Sequence, residues 1–531
     1  MIRSAKDCAF RFSTYLTLIA TAATIVGAAG CSSDRPLLPG DGPETTTTAR
    51  YAPRLLLIKN QPPVAMEIAF LMTDGSVVAE SYDTERRWYR YAPDGHGDYS
   101  DGTWMRIASL QRGYAPYAYA SQVLADGRLV IIGGEYNREA RSKYPLQLTN
   151  RGAVYDPAAN HWTPLEHPHG WGWIGDSPSS LLPDGRMLIG QKLTERDAAL
   201  DPATLKWTPV SDTGKADYNA EEGWTLLPDG TILTADVKDA TNSEIYNPAT
   251  GKWKSAGSTI VQLASIGGEQ CLRYGPKKKD CYNGAGEIGP AILRPDGTVF
   301  YTGAGTGVSD YGTGNTAVYH TRGRLAGKWT VGPEFPSGLN ASDTYAILEP
   351  SSNVLVFARG TLLEFDGTQF KNVGQAAGPP ILLPTGQVLM LGASVVLYTP
   401  SGSPQAAWAP HIKTCPSTIR PGMTYKITGT QFNGLSQAMS FGDEFQNSTN
   451  YPLVRITNAA SGHVYYARTH DHSTMGVATG SKLVWTYFDV PKAIDTGKST
   501  LVVIANGIAS KPITLSVSGN FISNRRTKSI R

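Results

Sequence analysis

A short phrase recurs along the middle of this chain: an apolar run, an Asp-Gly pair, and a second apolar or alternating run. Clear copies contain Asp74, Asp126, Asp184, Asp229 and Asp296, and weaker copies contain Asn353 and Thr385. An Asp-Gly pair between apolar runs favours a tight hairpin turn, because glycine takes the positive φ that two-residue turns require. A second phrase follows most copies, as in YDPAANHW from Tyr155 to Trp162, and predicts another turn between strands anchored by aromatic rings. The chain is therefore expected to consist mainly of antiparallel hairpins.

The spacing of the repeat predicts a β-propeller. Each unit makes a small twisted sheet that cannot cover both of its faces, and radial stacking of several such sheets buries them. The units recur roughly every fifty residues, which suits kelch repeats, and seven units can be counted. We therefore expect an all-β chain with a seven-bladed kelch-type β-propeller over residues 55–407. The repeated glycines and Tyr–Trp pairs are expected to be architectural.

The repeat stops after Pro404 and a different β pattern begins. Alternating stretches such as TYKITGTQF, YPLVRITN and KLVWTYFDVP, separated by turn residues, predict an immunoglobulin-like β-sandwich over residues 408–518. Residues 519–531 form a basic tail that is expected to be loose.

The N-terminal segment predicts export. Residues 1–31 carry Arg3, Lys6 and Arg11 and then an apolar run, which is the plan of a secretory signal. The segment ends in AAGCS and resembles a bacterial lipobox, with Ala28 where Leu is preferred and Cys31 as the residue to be lipidated. Residues 32–54 are expected to be a flexible linker. The expected location is the bacterial cell envelope, lipid-anchored on the outer membrane or surface, with simple secretion as the alternative.

Charge and cysteine content exclude some classes. Forty-eight basic against forty-five acidic residues create no strong field, so nucleic-acid binding receives no support. Cys271 and Cys281 flank the basic loop GPKKKD, a spacing that suits a disulfide in an oxidising compartment. Cys415 has no obvious partner, and no CxxC zinc motif is present.

The arrangement as a whole resembles galactose oxidase and its glyoxal-oxidase relatives, from about Leu55 to Ser518. The Asp-Gly and Tyr-Asp-Pro-Trp phrases carry the resemblance, together with RPGMTYKITGTQF, WTYFDVP and VVIANGIASKPITLSV near the end. The resemblance implies a copper ion held by two Tyr and two His, with one Tyr crosslinked to a Cys, because copper and the Tyr radical each take one electron.

The residues that the resemblance requires are not in place. The late blade reads GQAAGPPILLPTG, without the Tyr-His pair, and the loop after FGD reads EFQNSTN, without a His. Ala118 stands in register with the crosslinked Tyr, although Tyr117 and Tyr119 are adjacent. No Cys occurs between Cys31 and Cys271. No cofactor is therefore predicted, and copper belongs only to the alternative interpretation.

Two sets of residues are candidates for a site. Long insertions suggest loops on the two faces of the propeller. Three tryptophans are expected to be exposed near carboxylates and could stack on a sugar: Trp171, Trp173 and Trp224. Glu222 and Glu287 lie seven and nine residues before their Asp-Gly turns and could gather near the central channel with Glu221 and Asp176, as a carboxylate set for glycoside hydrolysis or for sugar binding. The stretch THDHST offers His470 and His472, which would share one face if the strand continued and could chelate a metal ion. The structural alternatives are capping carboxylates, blade-anchoring tryptophans and a polar turn.

The sequence favours a binding function over catalysis. The expected function is an exported, lipid-anchored propeller that binds a carbohydrate or an envelope protein, with the membrane contacted through its N-terminal lipid. The alternative is a galactose oxidase-like oxidoreductase acting on alcohols or sugars with a diverged copper site. No GxSxG elbow, HExxH motif or phosphate loop supports other chemistry.

Overall fold

The structure of the protein is a computed structural model. It describes residues 54–519 except 84–85, 140–147, 239–240, 266–269, 273–279, 283–286, 307–308, 313, 343, 376–377 and 443–444. The predicted signal, Cys31, most of the linker and nearly all of the basic tail lie outside the described residues. None of the helical segments in the described ranges is long and apolar enough to cross a bilayer.

Seven antiparallel blades of four strands form a ring, as the repeat predicted. The first strand, β1 (Arg54–Leu57), belongs to the last blade. The next three blades have the following strands. Blade 1 contains β2 (Met66–Leu71), β3 (Val77–Ser81), β4 (Trp88–Ala92) and β5 (Thr103–Arg106). Blade 2 contains β7 (Ala120–Val123), β8 (Leu129–Ile132), β10 (Gly152–Asp156) and β11 (His161–Leu165). It is flanked by a short strand pair, β6 (Pro116–Tyr117) with β9 (Tyr136–Asn137). Blade 3 contains β12 (Ser179–Leu181), β13 (Met187–Gly190), β14 (Asp197–Asp201) and β15 (Lys206–Val210).

The remaining blades complete the ring. Blade 4 contains β16 (Thr225–Leu226), β17 (Ile232–Ala235), β18 (Ser243–Asn247) and β19 (Lys252–Ser255). Blade 5 contains β22 (Ile288–Leu293), β23 (Thr298–Gly303), β26 (Thr316–His320) and β27 (Lys328–Val331). Two short strand pairs accompany this blade: β20 (Gln270–Leu272) with β21 (Asp280–Tyr282), and β24 (Gly305–Thr306) with β25 (Ser309–Gly312). Blade 6 contains β28 (Ala346–Leu348), β29 (Val354–Ala358), β30 (Thr361–Phe365) and β31 (Phe370–Gln375). Blade 7 contains β32 (Pro380–Leu382), β33 (Val388–Met390), β34 (Val396–Thr399) and the first strand of the chain, β1, which pairs with β34 and closes the ring.

The repeated residues hold the blades as expected. In the turn of blade 2, Gly127 has a φ of 85°, and Asp126 accepts the backbone N–H of Arg128 at 3.0 Å. The Trp of an outermost strand donates its indole N–H to the preceding blade, as Trp253 does to Asp197 at 2.9 Å. The turn contacts stabilise each blade, and the indole hydrogen bonds join it to its neighbour, so that both apolar faces of the sheet are buried in the ring.

The C-terminal segment forms a second β unit after a short 3₁₀ turn at Ala406–Trp408. Its sheet curls on itself in a sandwich-like way, in the order β35-β37-β41-β40-β39-β42-β44-β36. The strands are β35 (His411–Thr414), β36 (Thr418–Ile419), β37 (Thr424–Thr430), β38 (Met439–Ser440), β39 (Leu453–Asn458), β40 (Val464–His470), β41 (Val484–Asp489), β42 (Gly497–Ala505), β43 (Ile508–Ala509) and β44 (Ile513–Val517). Strand β40 pairs with β39 through its first half and with β41 through its second half, which allows the sheet to curl.

The two faces of the ring differ. The Asp-Gly turns lie on the face that carries the C-terminal unit, here called the domain face: Thr469 donates to Thr73 and Met475 donates to Pro183, both at 3.1 Å. Because strands alternate in direction, the connections between blades lie on the opposite face, here called the loop face. The long insertions of the sequence belong to the loop face.

A segment of the C-terminal unit fills the central channel. This channel loop, residues 436–450 apart from 443–444, includes β38, which adds to the innermost strand of blade 6. Its hydrogen bonds reach the innermost strands of the other six blades: Asn447 to Ala69 and Pro380, Gln446 to Ser121, Gln437 to Ser180 and Leu226, and Ser440 to Ala291. The ring is therefore joined to the C-terminal unit along its axis, and a ligand must approach the channel from its mouth on the loop face.

Candidate functional site

Charged side chains surround the channel mouth at the loop-face ends of the innermost strands. Asp176 precedes β12, Glu221 precedes β16 and Glu287 precedes β22, so three neighbouring blades each supply one carboxylate. Lys192 comes from the connection after β13. We call these four residues the mouth cluster.

Lys192 holds two of the three carboxylates. Its Nζ lies 2.7 Å from Oδ2 of Asp176 and 2.5 Å from Oε1 of Glu221. The side chains of Lys192 and Asp176 are 4% and 5% exposed, whereas that of Glu221 is 30% exposed. Glu221 therefore presents a fixed, partly solvated carboxylate, since charge-assisted hydrogen bonds of this length are strong when water is limited.

Glu287 joins the cluster through the backbone. A bridge links Glu221 and Glu287, with the N–H of Ile288 donating to the carbonyl of Glu221 at 3.1 Å. Ser342, at the base of the next blade, donates to Oε1 of Glu287 at 2.7 Å. Among the described residues, the mouth cluster thus combines three acids and one cation, so carboxylates outnumber the ammonium group.

Glu222 is not part of this cluster. It is fully buried inside blade 4, where Nζ of Lys215 lies 3.5 Å from Oε1 and the indole N–H of Trp224 donates to the same oxygen at 3.1 Å. The carboxylate expected at the channel is thus Glu221, one residue earlier. Sequence reasoning considered Glu221 but missed Lys192, for which the sequence offers no motif.

Two of the three tryptophans expected to be exposed are buried. Trp171 and Trp224 are 5% and 3% exposed, because each packs into the apolar core between blades. The expectation of exposure is wrong for both, and with it the basis for stacking on a sugar. Trp173 is half-buried, and its indole N–H donates to the carbonyl of Lys192 at 2.9 Å. It alone of the three lies beside the mouth cluster with part of its surface in solvent.

Blade 4 also contains a buried charge network around Lys215. Glu222 and Glu244 lie 3.5 and 3.9 Å from its Nζ, and the ring of Trp253 lies 3.9 Å away. Burial opposes the charge, but the surrounding carboxylates, Glu222 foremost, raise the pKa of Lys215 above its usual range. Burial also raises the pKa of Asp197 to about 6. The network has no access to solvent through Lys215 or Glu222, so it supports the blade and does not receive a ligand.

A second acidic pair lies between blades 1 and 2. The hydroxyl of Tyr119 donates to Oε2 of Glu80 at 2.6 Å, and burial raises the pKa of Glu80 well above its usual range. Burial likewise raises the pKa of Glu67 to about 8, although Arg138, 3.8 Å away, opposes the shift. From the channel loop, Phe445 packs edge-on against Tyr119 with ring centroids 4.8 Å apart. An apolar ring therefore lies against the tyrosine on the channel side.

The THDHST stretch forms a corner of the C-terminal unit. Strand β40 ends at His470 because Asp471 has a φ of 51°, so the two imidazoles do not share a strand face as expected. His470 lies between Asp471 and Asp489, at 2.8 and 3.2 Å. His472 is buried, 2.9 Å from the Thr486 hydroxyl, and burial lowers its pKa to about 3. Among the described residues, no group of three or more His, Cys, Asp or Glu side chains is arranged to hold a metal ion.

The cysteine predictions remain predictions. Cys31 lies outside the described residues. Cys271 and Cys281 face each other in the backbone register of β20 and β21, and their side chains are not described. The pairing of these two cysteines thus rests on the sequence spacing and on that register.

No family model matches the chain. An F-box/kelch-repeat protein of Arabidopsis thaliana is 32% identical over 68 residues, which are 13% of this chain and 17% of that protein. The match therefore spans less than a fifth of the curated relative.

Several solved structures are similar at low identity. A fungal alcohol oxidase of the AA5 family, in complex with copper, is 14% identical, with 88% of this chain and 98% of that chain covered and a TM-score of 0.45. A streptogramin B lyase is 11% identical, with 66% and 98% covered and a TM-score of 0.42. The virginiamycin B lyase of Staphylococcus aureus is 9% identical, with 66% and 99% covered and a TM-score of 0.41. At these identities and TM-scores the similarities carry no statement about function.

Proposed function

We propose that the protein is an exported, lipid-anchored propeller of the bacterial cell envelope that binds a carbohydrate or protein ligand at the channel mouth. The mouth cluster is the observation that supports this proposal. Three blades direct carboxylates to one place, and a nearly buried lysine holds two of them in position. A fixed polar cluster on the face that carries the long loops is a typical setting for recognition.

The chemistry of the cluster favours ligands that donate hydrogen bonds. Carboxylates accept hydrogen bonds from sugar hydroxyls or from a basic side chain of a protein, and the surplus of negative charge disfavours acidic groups. Glu221 offers a fixed carboxylate that is 30% exposed, and Trp173 supplies an amphipathic ring beside Lys192. The channel loop blocks deeper entry, so the ligand binds at the surface of the mouth.

A copper centre of the oxidase kind does not fit the residues at the mouth. The Tyr119 hydroxyl is engaged by Glu80, and Phe445 covers the channel side of its ring. The neighbouring side chains of the mouth cluster are carboxylates and a lysine, whereas copper in such a site needs imidazole and phenolate ligands.

Binding of immobilised polysaccharides and envelope extracts by the purified protein tests the proposal. Glu221→Gln keeps the shape and removes the charge, and we expect it to weaken binding about tenfold, the effect of losing one charge-assisted hydrogen bond. Glu166→Gln, an exposed acid on the same face, is the matched control and should bind like the natural protein. Equal binding by both variants would refute the site. Stoichiometric copper with a tyrosyl radical in the purified protein would refute the binding role in favour of the oxidase.

A further inference from the structure

A cleft of about 550 Å³ lies between blade 1 and the C-terminal unit on the domain face. Its volume is within the range of small-molecule sites in proteins, roughly 300–1,000 Å³. We call it the interdomain cleft. Its charged lining comes from Asp74 and Arg90 of blade 1 and from Arg468, Asp489 and Lys492 of the C-terminal unit. Tyr466 supplies an aromatic wall.

The walls of the cleft are tied to each other. The backbone N–H of Thr469, next to the lining residue Arg468, donates to the carbonyl of Thr73 at 3.1 Å. Arg468 also donates from Nη1 to the carbonyl of Asp126 at 3.3 Å, which joins the C-terminal unit to blade 2. The cleft is therefore formed before any ligand arrives, and a ligand does not need to supply the energy of ordering it.

The charges in the lining leave one cation without an anion. Arg90 pairs with Asp74 at 2.7 Å, and Arg468 pairs with Asp489 at 2.8 Å. Lys492 forms no ion pair with any residue in the described part of the chain, and its side chain is exposed. Nε of Arg90 also has no hydrogen-bond partner there. Hydrogen-bond donors and positive charge are thus in excess over what the two aspartates use.

We propose that the interdomain cleft is a binding site for a small carboxylated sugar of the uronic acid class. Lys492, the lining cation that forms no ion pair in the described part of the chain, provides the positive charge for the ligand carboxylate. Oδ2 of Asp74, which accepts one hydrogen bond from Arg90, provides an acceptor for a ligand hydroxyl group. Tyr466 packs against the apolar side of the sugar ring. This site lies on the opposite face from the mouth cluster and has the opposite surplus charge.

Titration calorimetry of the full-length protein with D-glucuronate tests the proposal. We expect saturable binding of glucuronate, no measurable binding of neutral glucose at the same concentrations, and weaker binding as salt is added. Lys492→Gln should lower the affinity about tenfold, the effect of losing one charged partner. Lys511→Gln, an exposed lysine elsewhere on the same unit, should change nothing. Because Lys492 is exposed, its replacement is expected to leave the melting temperature unchanged, and this is measured alongside.

Three results would overturn the proposal. Glucuronate could fail to bind, or it could bind the Lys492→Gln variant with unchanged affinity. Inorganic phosphate could bind more tightly than glucuronate in a Lys492-dependent way, which would exclude the sugar class. If Glu221→Gln abolishes glucuronate binding while Lys492→Gln leaves it unchanged, glucuronate binds at the channel mouth and not in the interdomain cleft. This outcome contradicts the interdomain site but leaves the proposed function intact, so the two proposals can fail independently.

Discussion

Replacement of Lys215 by Met is the sharpest test of the charge network in blade 4. Methionine has a similar length and volume, so little cavity is created, but the carboxylates of Glu222 and Glu244 lose a cation 3.5 and 3.9 Å away. Removing one partner of a buried ion pair costs about 3–5 kcal/mol because the remaining charge has no compensation. A folded part of roughly 450 residues unfolds with an entropy near 1 kcal/mol/K, so we expect the melting temperature to fall by about 3–5 °C at pH 7.

The pH dependence separates this electrostatic cost from a packing defect. Since the carboxylates raise the pKa of Lys215, the lysine is charged in folded and unfolded states from pH 5 to pH 8, and its contribution is constant there. In Lys215→Met the buried carboxyl groups must hold protons when folded but release them when unfolded. Burial already raises the pKa of Glu222 and of Glu244 in the natural protein, so the extra cost in the variant grows only above these folded pKa values, by up to about 1.4 kcal/mol per pH unit for each group. The destabilisation should therefore increase with pH.

Calorimetry of the variant from pH 5 to pH 8 measures this slope. Lys206→Met, an exposed lysine on the outermost strand of blade 3, is the control and should shift the melting temperature by less than about 1 °C. Lys215→Met combined with Glu222→Gln should recover part of the lost stability, because one uncompensated carboxylate is removed. A loss of stability that is independent of pH, or a gain of stability, would refute the reasoning.

Two further predictions concern the axis and the N-terminus. A Cβ at Gly223 would lie 2.2 Å from the carbonyl oxygen of Gly442 in the channel loop, so Gly223→Ala should cost about 1–3 kcal/mol in urea unfolding. Gly95→Ala, whose added Cβ meets only His463 at 3.8 Å, is the control and should cost less than about 1 kcal/mol, and equal effects of the two substitutions would contradict the close approach. Cys31→Ser should move the protein from the membrane fraction to the soluble fraction of fractionated cells, and a protein found in the soluble fraction with Cys31 intact would contradict the lipid anchor.

The blades could be predicted from the sequence because their signals are local. An Asp-Gly pair determines its own turn, and a Trp seven residues after a Tyr lies opposite it on the neighbouring strand, as Trp162 lies opposite Tyr155. The seven-bladed ring follows from counting such units. The channel loop could not be predicted in this way, because residues 436–450 show no pattern that depends on the blades, and the hydrogen bonds that join them to the ring are with residues distant in sequence.

Of the carboxylates that the sequence suggested for the channel, Glu222 lies one residue away from the position in the mouth cluster, and the reason is physical. Glu222 and Glu287 stand at offsets of seven and nine residues before their turns, which suggested equivalent positions. The pairing of β22 with β23 contains an irregularity between Ile288 and Ala291, which shifts the register so that Glu287 aligns with Glu221. A β-bulge of this kind sends alternate side chains to the other face, and sequence spacing does not reveal it. The sequence left open whether Trp171 and Trp224 are exposed or anchor the blades, since only ring closure decides which aromatic rings lie between blades.

The channel loop also determines how the two proposed sites relate to each other. The hydrogen bonds of the described part of the channel loop reach all seven innermost strands, so this loop lies between the mouth cluster and the domain face. The two sites have surplus charges of opposite sign, negative at Asp176, Glu221 and Glu287 and positive at Lys492. Ligands that suit one therefore suit the other poorly, and we expect a single neutral substitution to weaken binding at one site without changing the affinity of the other. Binding at the mouth should accordingly be unchanged in Lys492→Gln, and coupling between the two variants would mean that the channel loop transmits strain from one face to the other.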